Sequence, residues 1–228
     1  MSESTTVVLF VGGIVLATAI LIAAIVIMAK KAARQRLEGL RRAAGHMRLE
    51  FTERGPDTMV AELAQYHLFS QGHGRKIRNL CSGRPADIFT RIFDYQYTVG
   101  SGQHSSTYRQ TVALFEAPDL RLPAFQARPE HFFHRVAQKF GKQDIDFEQD
   151  DEFSKEYVLR GDDEAAIRRL FNNPIRSHLT GLKKTSVEGR GNQLIVYRLG
   201  KRVEPQDLDE FLTSSVHMLA LFKTAAAP

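Results

Sequence analysis

The sequence predicts an α+β protein: an N-terminal transmembrane helix, then a cytoplasmic domain of antiparallel hairpins with packed helices. Three observations predict it. Val7–Ala29 is an unbroken apolar stretch in which Thr18 is the one polar side chain. Two pairs of strand-like runs flank the glycine-rich turns Gly100-Ser101-Gly102-Gln103 and Gly189-Arg190-Gly191-Asn192. Segments of helical periodicity separate and follow these hairpins, the last of them opened by Pro205.

As a helix, Val7–Ala29 is about 35 Å long, enough to cross a ~30 Å hydrocarbon core with some tilt. A helix also pairs its backbone groups internally, as hydrocarbon demands. The preceding residues, Met-Ser-Glu-Ser-Thr-Thr, carry no basic side chain, and Ala29 runs straight into Lys30 and Lys31 without a small-x-small site. Both features argue against a cleaved signal peptide. Gly13 and Ala17 form a small-xxx-small pair that could seat a second helix.

Charge sets the expected orientation. Glu3 is the charged side chain before the span, whereas Lys30, Lys31, Arg34, Arg36, Arg41, Arg42 and Arg48 follow it, opposed by Glu38. The positive-inside rule places the N-terminus outside and the rest in the cytoplasm, which in a bacterium means a single pass of the inner membrane. Lys30, Lys31, Arg34, Arg36, Arg41 and Arg42 are the expected membrane-surface contacts. Each gains at most about 1 kcal/mol from anionic headgroups. The net charge of +5 resides in this segment, because residues 49–228 hold 24 Lys/Arg and 24 Asp/Glu. A nucleic-acid partner is therefore not expected. Leu37, Leu40, Ala44 and Met47 recur at helical spacing, a stripe too thin, and too weakened by Gly39 and Gly45, for a helix lying on headgroups. A continuation of the membrane helix is the preferred reading. The expected organisation is a 1–6 extracytoplasmic tail, a 7–29 span, a 30–48 basic helix and a 49–228 domain, with a sub-boundary allowed near 141–152.

Within the domain, His46–Phe51 reads as a first strand. Gly55-Pro56-Asp57 opens a helix with Met59, Leu63, Tyr66 and Phe69 inward, ended by Gly72-His73-Gly74. Strands follow over Lys76–Cys81, Asp87–Val99, Ser106–Glu116 and Leu122–Ala127, with Pro123 marking an edge or a strand terminus. Pro129-Glu130 starts a helix to Phe140 with Phe132, Phe133, Val136 and Phe140 in a stripe. Asp144–Glu148 alternates acid and apolar residues, and Phe153–Arg160 is strand-like. Asp162, Asp163 and Glu164 suit a helix N-terminus carrying Ile167, Leu170 and Phe171, and Asn173-Pro174 permits a second short helix to about Thr180. Thr185–Glu188 and Gln193–Leu199 make the second hairpin. The helix after Pro205 aligns Leu208, Phe211, Leu212, Ser215, Leu219 and Phe222. Cys81 is the one cysteine, so no internal disulfide forms, in keeping with a reducing compartment.

No constellation carries a catalytic, cofactor or metal assignment. His131 and His134 share a helix face without a third ligand at zinc spacing. Asp144, Asp146 and Glu148, followed by Asp150, Asp151 and Glu152, lack the glycine and spacing of a calcium loop. Gly100-Ser101-Gly102 with His104 and Ser105 joins two strands, where a nucleophile elbow joins strand to helix. Gly72-His73-Gly74-Arg75-Lys76 lacks the Walker spacing. Phe89, Phe93, Tyr95 and Tyr97 beside Arg91 are core residues before they are a base-stacking platform. No strand–glycine-loop–helix unit of a nucleotide-binding sheet occurs.

FDYQYTVGSG at 93–102, RQTVALF at 109–115, PAFQARPEHFFH at 123–134, DIDF at 144–147 and FSKEYVLRG at 153–161 carry a resemblance. The chain resembles a group of uncharacterised bacterial membrane proteins with one N-terminal span and a cytoplasmic α+β domain. The resemblance covers about residues 50–200 and implies that layout, but no activity and no residue role.

The function expected is that of a membrane-tethered binding or scaffolding module, its partners the bilayer and an unnamed protein. The alternative is a tethered hydrolase using an acidic strand at 144–152. An enzyme requires Asp144, Asp146 and Glu148 to converge on a concave pocket opposite a histidine or arginine.

Overall fold

A computed structural model of the chain describes residues 3–130, 144–147, 150–182 and 184–227. The chain divides into two units, Met1–Gly39 and Leu40–Pro228. Helix α1 (Glu3–His46) supplies all the described structure of the first. It contains a stretch of mean hydropathy 2.0, long and apolar enough to cross a membrane. Among its described apolar side chains, Leu16, Ile20, Leu21 and Ile27 each keep at least 60% of their surface exposed.

The second unit begins with the last residues of α1. Leu40 and Ala44 are buried in its core, so this part of the thin stripe packs on protein. The helix closes when Leu49 N donates to the Ala44 carbonyl at 2.8 Å, with Arg48 in the left-handed region at φ 56°. That six-to-one bond with its Leu49–Ala44 apolar pair is a Schellman-type ending. It explains why the first strand, β1 (Glu50–Arg54), starts four residues later than the expected His46.

The expected 55–71 helix is two short helices, α2 (Met59–Glu62) and α3 (His67–Ser70), with Tyr66 extended between them. Its inward face is as expected: Met59, Leu63, Tyr66 and Phe69 are all buried. Strands β2 (His73–Gly83), β3 (Phe89–Val99) and β4 (Ser106–Glu116) then form a meander, and β5 (Leu122–Pro129) follows. Pro129 ends β5. The expected helical stripe to Phe140, with His131 and His134, lies outside the described residues.

Residues 144–147 are not a strand, and α4 (Asp151–Glu156) replaces the first half of the expected strand from Phe153. The reason is local. Asp150 caps α4 by accepting from Phe153 N at 3.1 Å, and Arg176 holds its other oxygen at 2.7 Å. Strand β6 (Tyr157–Gly161) follows, then α5 (Glu164–Leu170), capped when Asp163 accepts from Ala166 N at 2.9 Å. Helix α6 (Asn173–Leu182), the hairpin β7 (Ser186–Gly191) and β8 (Gln193–Tyr197), and α7 (Leu208–Ala225) complete the chain.

Among the described residues eight strands form one sheet in the order β1-β2-β3-β4-β8-β7-β5-β6, with every neighbouring pair antiparallel. β5 is therefore interior, and Pro123 marks its terminus. Period-two alternation sends side chains to two cores. Phe115, Phe125, Val187 and Leu194 face α5–α7, where Phe125 packs against Phe171 at 4.9 Å and Phe222 at 5.2 Å between ring centroids. Phe93, Tyr95, Tyr97 and Tyr197 face the α2–α3 side, with Phe69 and Tyr95 at 4.5 Å. Hairpin aromatics and segregated helices thus build the α+β arrangement expected.

Candidate functional site

The antiparallel register lays a polar row across the α2–α3 face of the sheet. Gln126 on β5 stands directly opposite Arg160 on β6 and Glu188 on β7. Directly paired residues share a face, and neighbouring strands are ~4.8 Å apart, so the row runs about 10 Å across three strands. Above it opens a cleft of about 270 Å³, walled by the Ala64–His67 linker and Ser70 and edged by Arg190 and Asp162. Gly161 and Gly189 form part of the floor. A Cβ at Gly161 would sit 2.2 Å from Ile167 Cδ1, and one at Gly189 2.3 Å from Phe125 Cε1. Bare backbone at both positions lets the far core close up against the floor.

Glu188 organises this site. Only 2% of it is exposed. Its Oε2 accepts from the backbone N–H of His67 at 2.7 Å, and its Oε1 from Leu68 N at 3.1 Å and the Tyr197 hydroxyl at 2.8 Å. Tyr66, at the N-cap position of α3, gives no side-chain cap. The carboxylate from a distant strand therefore satisfies the first N–H groups of that helix. Burial pushes the Glu188 carboxyl upward, while the Tyr197 hydroxyl, Arg128 and the two backbone donors pull it back.

His67 is fixed from both sides. Arg128 Nη1 lies 3.1 Å from its Nε2, and Gln71 faces its Nδ1 at 3.3 Å. Arginine can only donate, so Nε2 is an acceptor and the ring is neutral. Burial, then Arg128 and Arg160, depress its pKa to about 3. The Tyr66 hydroxyl donates to Gln193 Oε1 at 2.7 Å, and its own pKa is raised mainly by burial. The cleft thus presents fixed donors and acceptors on the sheet, beside the short helix α3 that one carboxylate ties down.

The sequence-derived candidates fall elsewhere. Asp144 accepts from Leu159 N at 2.7 Å, and burial raises its pKa. Arg168 donates to the Asp146 carbonyl, while Glu148 lies outside the described residues. Asp144, Asp146 and Asp150 each serve local chain geometry, and none of them lines the cleft. His73 meets the Gly100 carbonyl at 3.0 Å, which ties the two glycine-rich segments together within β2 and the β3–β4 tip. Ser101, His104 and Ser105 stay exposed. Cys81 is buried beside Asp94 and its thiol is pushed up to about 12. Of the basic segment, Lys30, Lys31 and Arg34 are exposed, Arg36 is half-buried, and Arg42 is exposed in the second unit. Arg41 donates to Glu53 at 3.1 Å and stacks over Phe51. Glu188, Gln126, Arg128 and His67 were not singled out from the sequence. Their signal is weak but present: Arg128 and Glu188 are charges that follow directly on the apolar strand residues Ala127 and Val187.

No family model matches the chain, and no curated protein matches it. Among solved structures, the crystal structure of the mycobacterial trehalose monomycolate transport factor A, TtfA, superposes with a TM-score of 0.61 at 10% identity. The match covers 86% of this chain and 98% of that one. It shows a shared fold.

Proposed function

We propose that this protein is a membrane-anchored binding module: α1 tethers the folded unit to the bilayer, and the cleft over Arg160, Gln126 and Glu188 receives a small ligand or a lipid headgroup. The observation that carries this reading is the cleft itself. A row of donor, amide and acceptor lies at its base, with α3 held by a carboxylate that belongs to the floor. Preorganised polar groups in a concave site are what recognition requires.

The structural neighbour is named as a transport factor for trehalose monomycolate. By that analogy the chain serves as an accessory factor in handling a membrane lipid, holding the lipid or its transport machinery. The resemblance to bacterial single-span proteins and the seven basic residues after the span support an inner-membrane protein with its N-terminus outside. Lys30, Lys31, Arg34, Arg36, Arg41 and Arg42 add weak contact with anionic headgroups.

The experiment is native mass spectrometry of the full chain released from detergent, followed by solvent extraction. A bound low-mass species should accompany the parent protein and be lost from Gln126→Ala and Arg190→Ala. Equal occupancy in all three proteins would place the ligand elsewhere and overturn the cleft. A reporter fused after Pro228 that works only outside the cytoplasm should stay silent; activity from it would reverse the orientation.

A further inference from the structure

We infer that the cleft over β5, β6 and β7 recognises an uncharged, polyhydroxylated ligand, a sugar or polyol, through the row Arg160–Gln126–Glu188 with Arg190 at its rim. The inference rests on reading the cleft as a binding site and adds the chemistry of what fits there.

The charges at the cleft balance. Arg160 and Arg190 supply two cations, Glu188 and Asp162 two anions, and the His67 ring is neutral because it accepts from Arg128. A phosphate or sulfate drawn to the arginines would have to settle beside a floor carboxylate, a like-charge contact in a partly desolvated site. A metal cation would meet two guanidiniums, and the described residues offer no group of three metal-binding side chains there. A ligand that donates and accepts without net charge meets neither penalty.

The floor also matches hydroxyl groups in kind and spacing. Arginine offers a planar fork of donors, glutamine one donor face and one acceptor, and a carboxylate only acceptors. Neighbouring sugar hydroxyls each donate and accept, so adjacent pairs can bridge one planar side chain and the next along the ~4.8 Å strand spacing. Glu188 Oε2 takes one hydrogen bond, from His67 N, which leaves it capacity to accept from a hydroxyl. Beside this row the Tyr66 ring, the Ala64 methyl and the side-chain-free half-buried Gly161 and buried Gly189 provide an apolar wall. That wall suits the C–H face of a pyranose. At about 270 Å³ the cleft holds one or two sugar rings and not a longer chain.

The ligand can be free sugar or the headgroup of a glycosylated lipid, and the test separates them. The full chain is placed in nanodiscs of plain phospholipid and titrated by isothermal calorimetry with glucose, with a non-reducing glucose disaccharide, with myo-inositol and with inorganic phosphate. A second set of nanodiscs carries a glucosylated lipid and is read by saturation-transfer NMR on the sugar protons. We expect saturable sugar binding and none for phosphate. Gln126→Ala and Arg190→Ala should weaken binding at least tenfold, with unchanged thermal melting for the exposed Arg190 variant. Binding of free sugar assigns a soluble ligand; signals only from the glucosylated lipid assign a headgroup. Phosphate binding lost in Arg190→Ala, without sugar binding, overturns the polyol inference and keeps the cleft as a site. Absence of binding by every probe, while a species extracted from the parent protein still depends on Gln126, likewise overturns the polyol class alone.

Discussion

The backbone N–H of His67 donates to Glu188 Oε2 at 2.7 Å across 121 residues of sequence. Three hydrogen-bond donors within 3.1 Å converge on this one carboxylate, His67 N, Leu68 N and the Tyr197 hydroxyl, and Gln126 Nε2 is a fourth at 3.4 Å. Glu188→Ala leaves all three without an acceptor in a buried place and should cost about 3–5 kcal/mol. Glu188→Gln keeps one acceptor oxygen but turns an amino group toward a donor, a loss of about 1–3 kcal/mol. Urea unfolding of the domain checks both, as a fall in midpoint at constant m. A Glu188→Ala protein as stable as its parent would mean that α3 does not depend on this cap.

His67 and Glu188 make opposite contributions to the pH dependence of stability. The His67 pKa is about 3 in the folded protein, below its unfolded value of 6.5. The unfolded chain therefore binds a proton below pH 6.5 that the folded protein refuses, and stability falls as pH drops from 6.5 toward 3. The loss is up to about 1.4 kcal/mol per pH unit. The Glu188 carboxyl is raised, so the folded state takes up its proton first as pH falls, and its contribution rises toward pH 4.5. His67→Gln isolates the first effect. The variant should lose less stability than the parent between pH 6.5 and 4, measured by chemical denaturation at each pH. Parallel curves would show that His67 takes up a proton in the folded protein as readily as in the unfolded chain.

Much of the fold is legible from residue pattern alone. The strand Ser106–Glu116 has the expected bounds, since alternating Val112, Leu114 and Thr111, Phe115 distinguish its two faces. The acidic N-terminus at Asp163 and the turn opened by Pro205 likewise announce α5 and α7. Errors arise where a tertiary partner overrides a local pattern. The helix expected over 55–71 breaks at Tyr66 because a carboxylate from β7 caps the second piece. The acid alternation at 144–148 mimics a strand, yet Asp144 and Asp150 serve as local acceptors for Leu159 N and Phe153 N. The cleft was less legible still. Its row of Arg160, Gln126 and Glu188 exists only once β5 is inserted between β6 and β7, an order that local pattern does not encode.

Leu40 and Ala44 belong to the core of the second unit, so a soluble domain should need the end of α1. A chain beginning at Arg36 is expected to be soluble and to melt in one cooperative transition. Starting at Leu49 removes a buried leucine and the helix ending beneath it. Deleting a core leucine side chain alone costs about 2–5 kcal/mol. For a domain of this size that lowers Tm by roughly 10 °C. Calorimetry of the two chains decides it: equal melting temperatures would show that Leu40 and Ala44 add nothing to the fold.

Membrane attachment should depend on the span and not on the basic residues that follow it. Burying about twenty apolar side chains in hydrocarbon is worth tens of kcal/mol, against about 1 kcal/mol for each Lys or Arg near an anionic surface. Salt separates the two forces, because surface attraction is screened beyond a Debye length of ~10 Å at 0.1 M while apolar burial is not. Leu16, Ile20, Leu21 and Ile27 have no protein cover among the described residues, so lipid is available to all of them. The full chain should therefore stay in the membrane fraction through a high-salt or alkaline wash. A chain beginning at Lys30 keeps Lys30, Lys31, Arg34 and Arg36 but loses the span, and Arg41 already pairs with Glu53. It should bind anionic vesicles weakly and come off in salt, as read by flotation. Retention of that shorter chain in high salt would show that residues 30–48 or the domain insert apolar surface of their own, and the thin Leu37–Met47 stripe would then be a membrane-binding face.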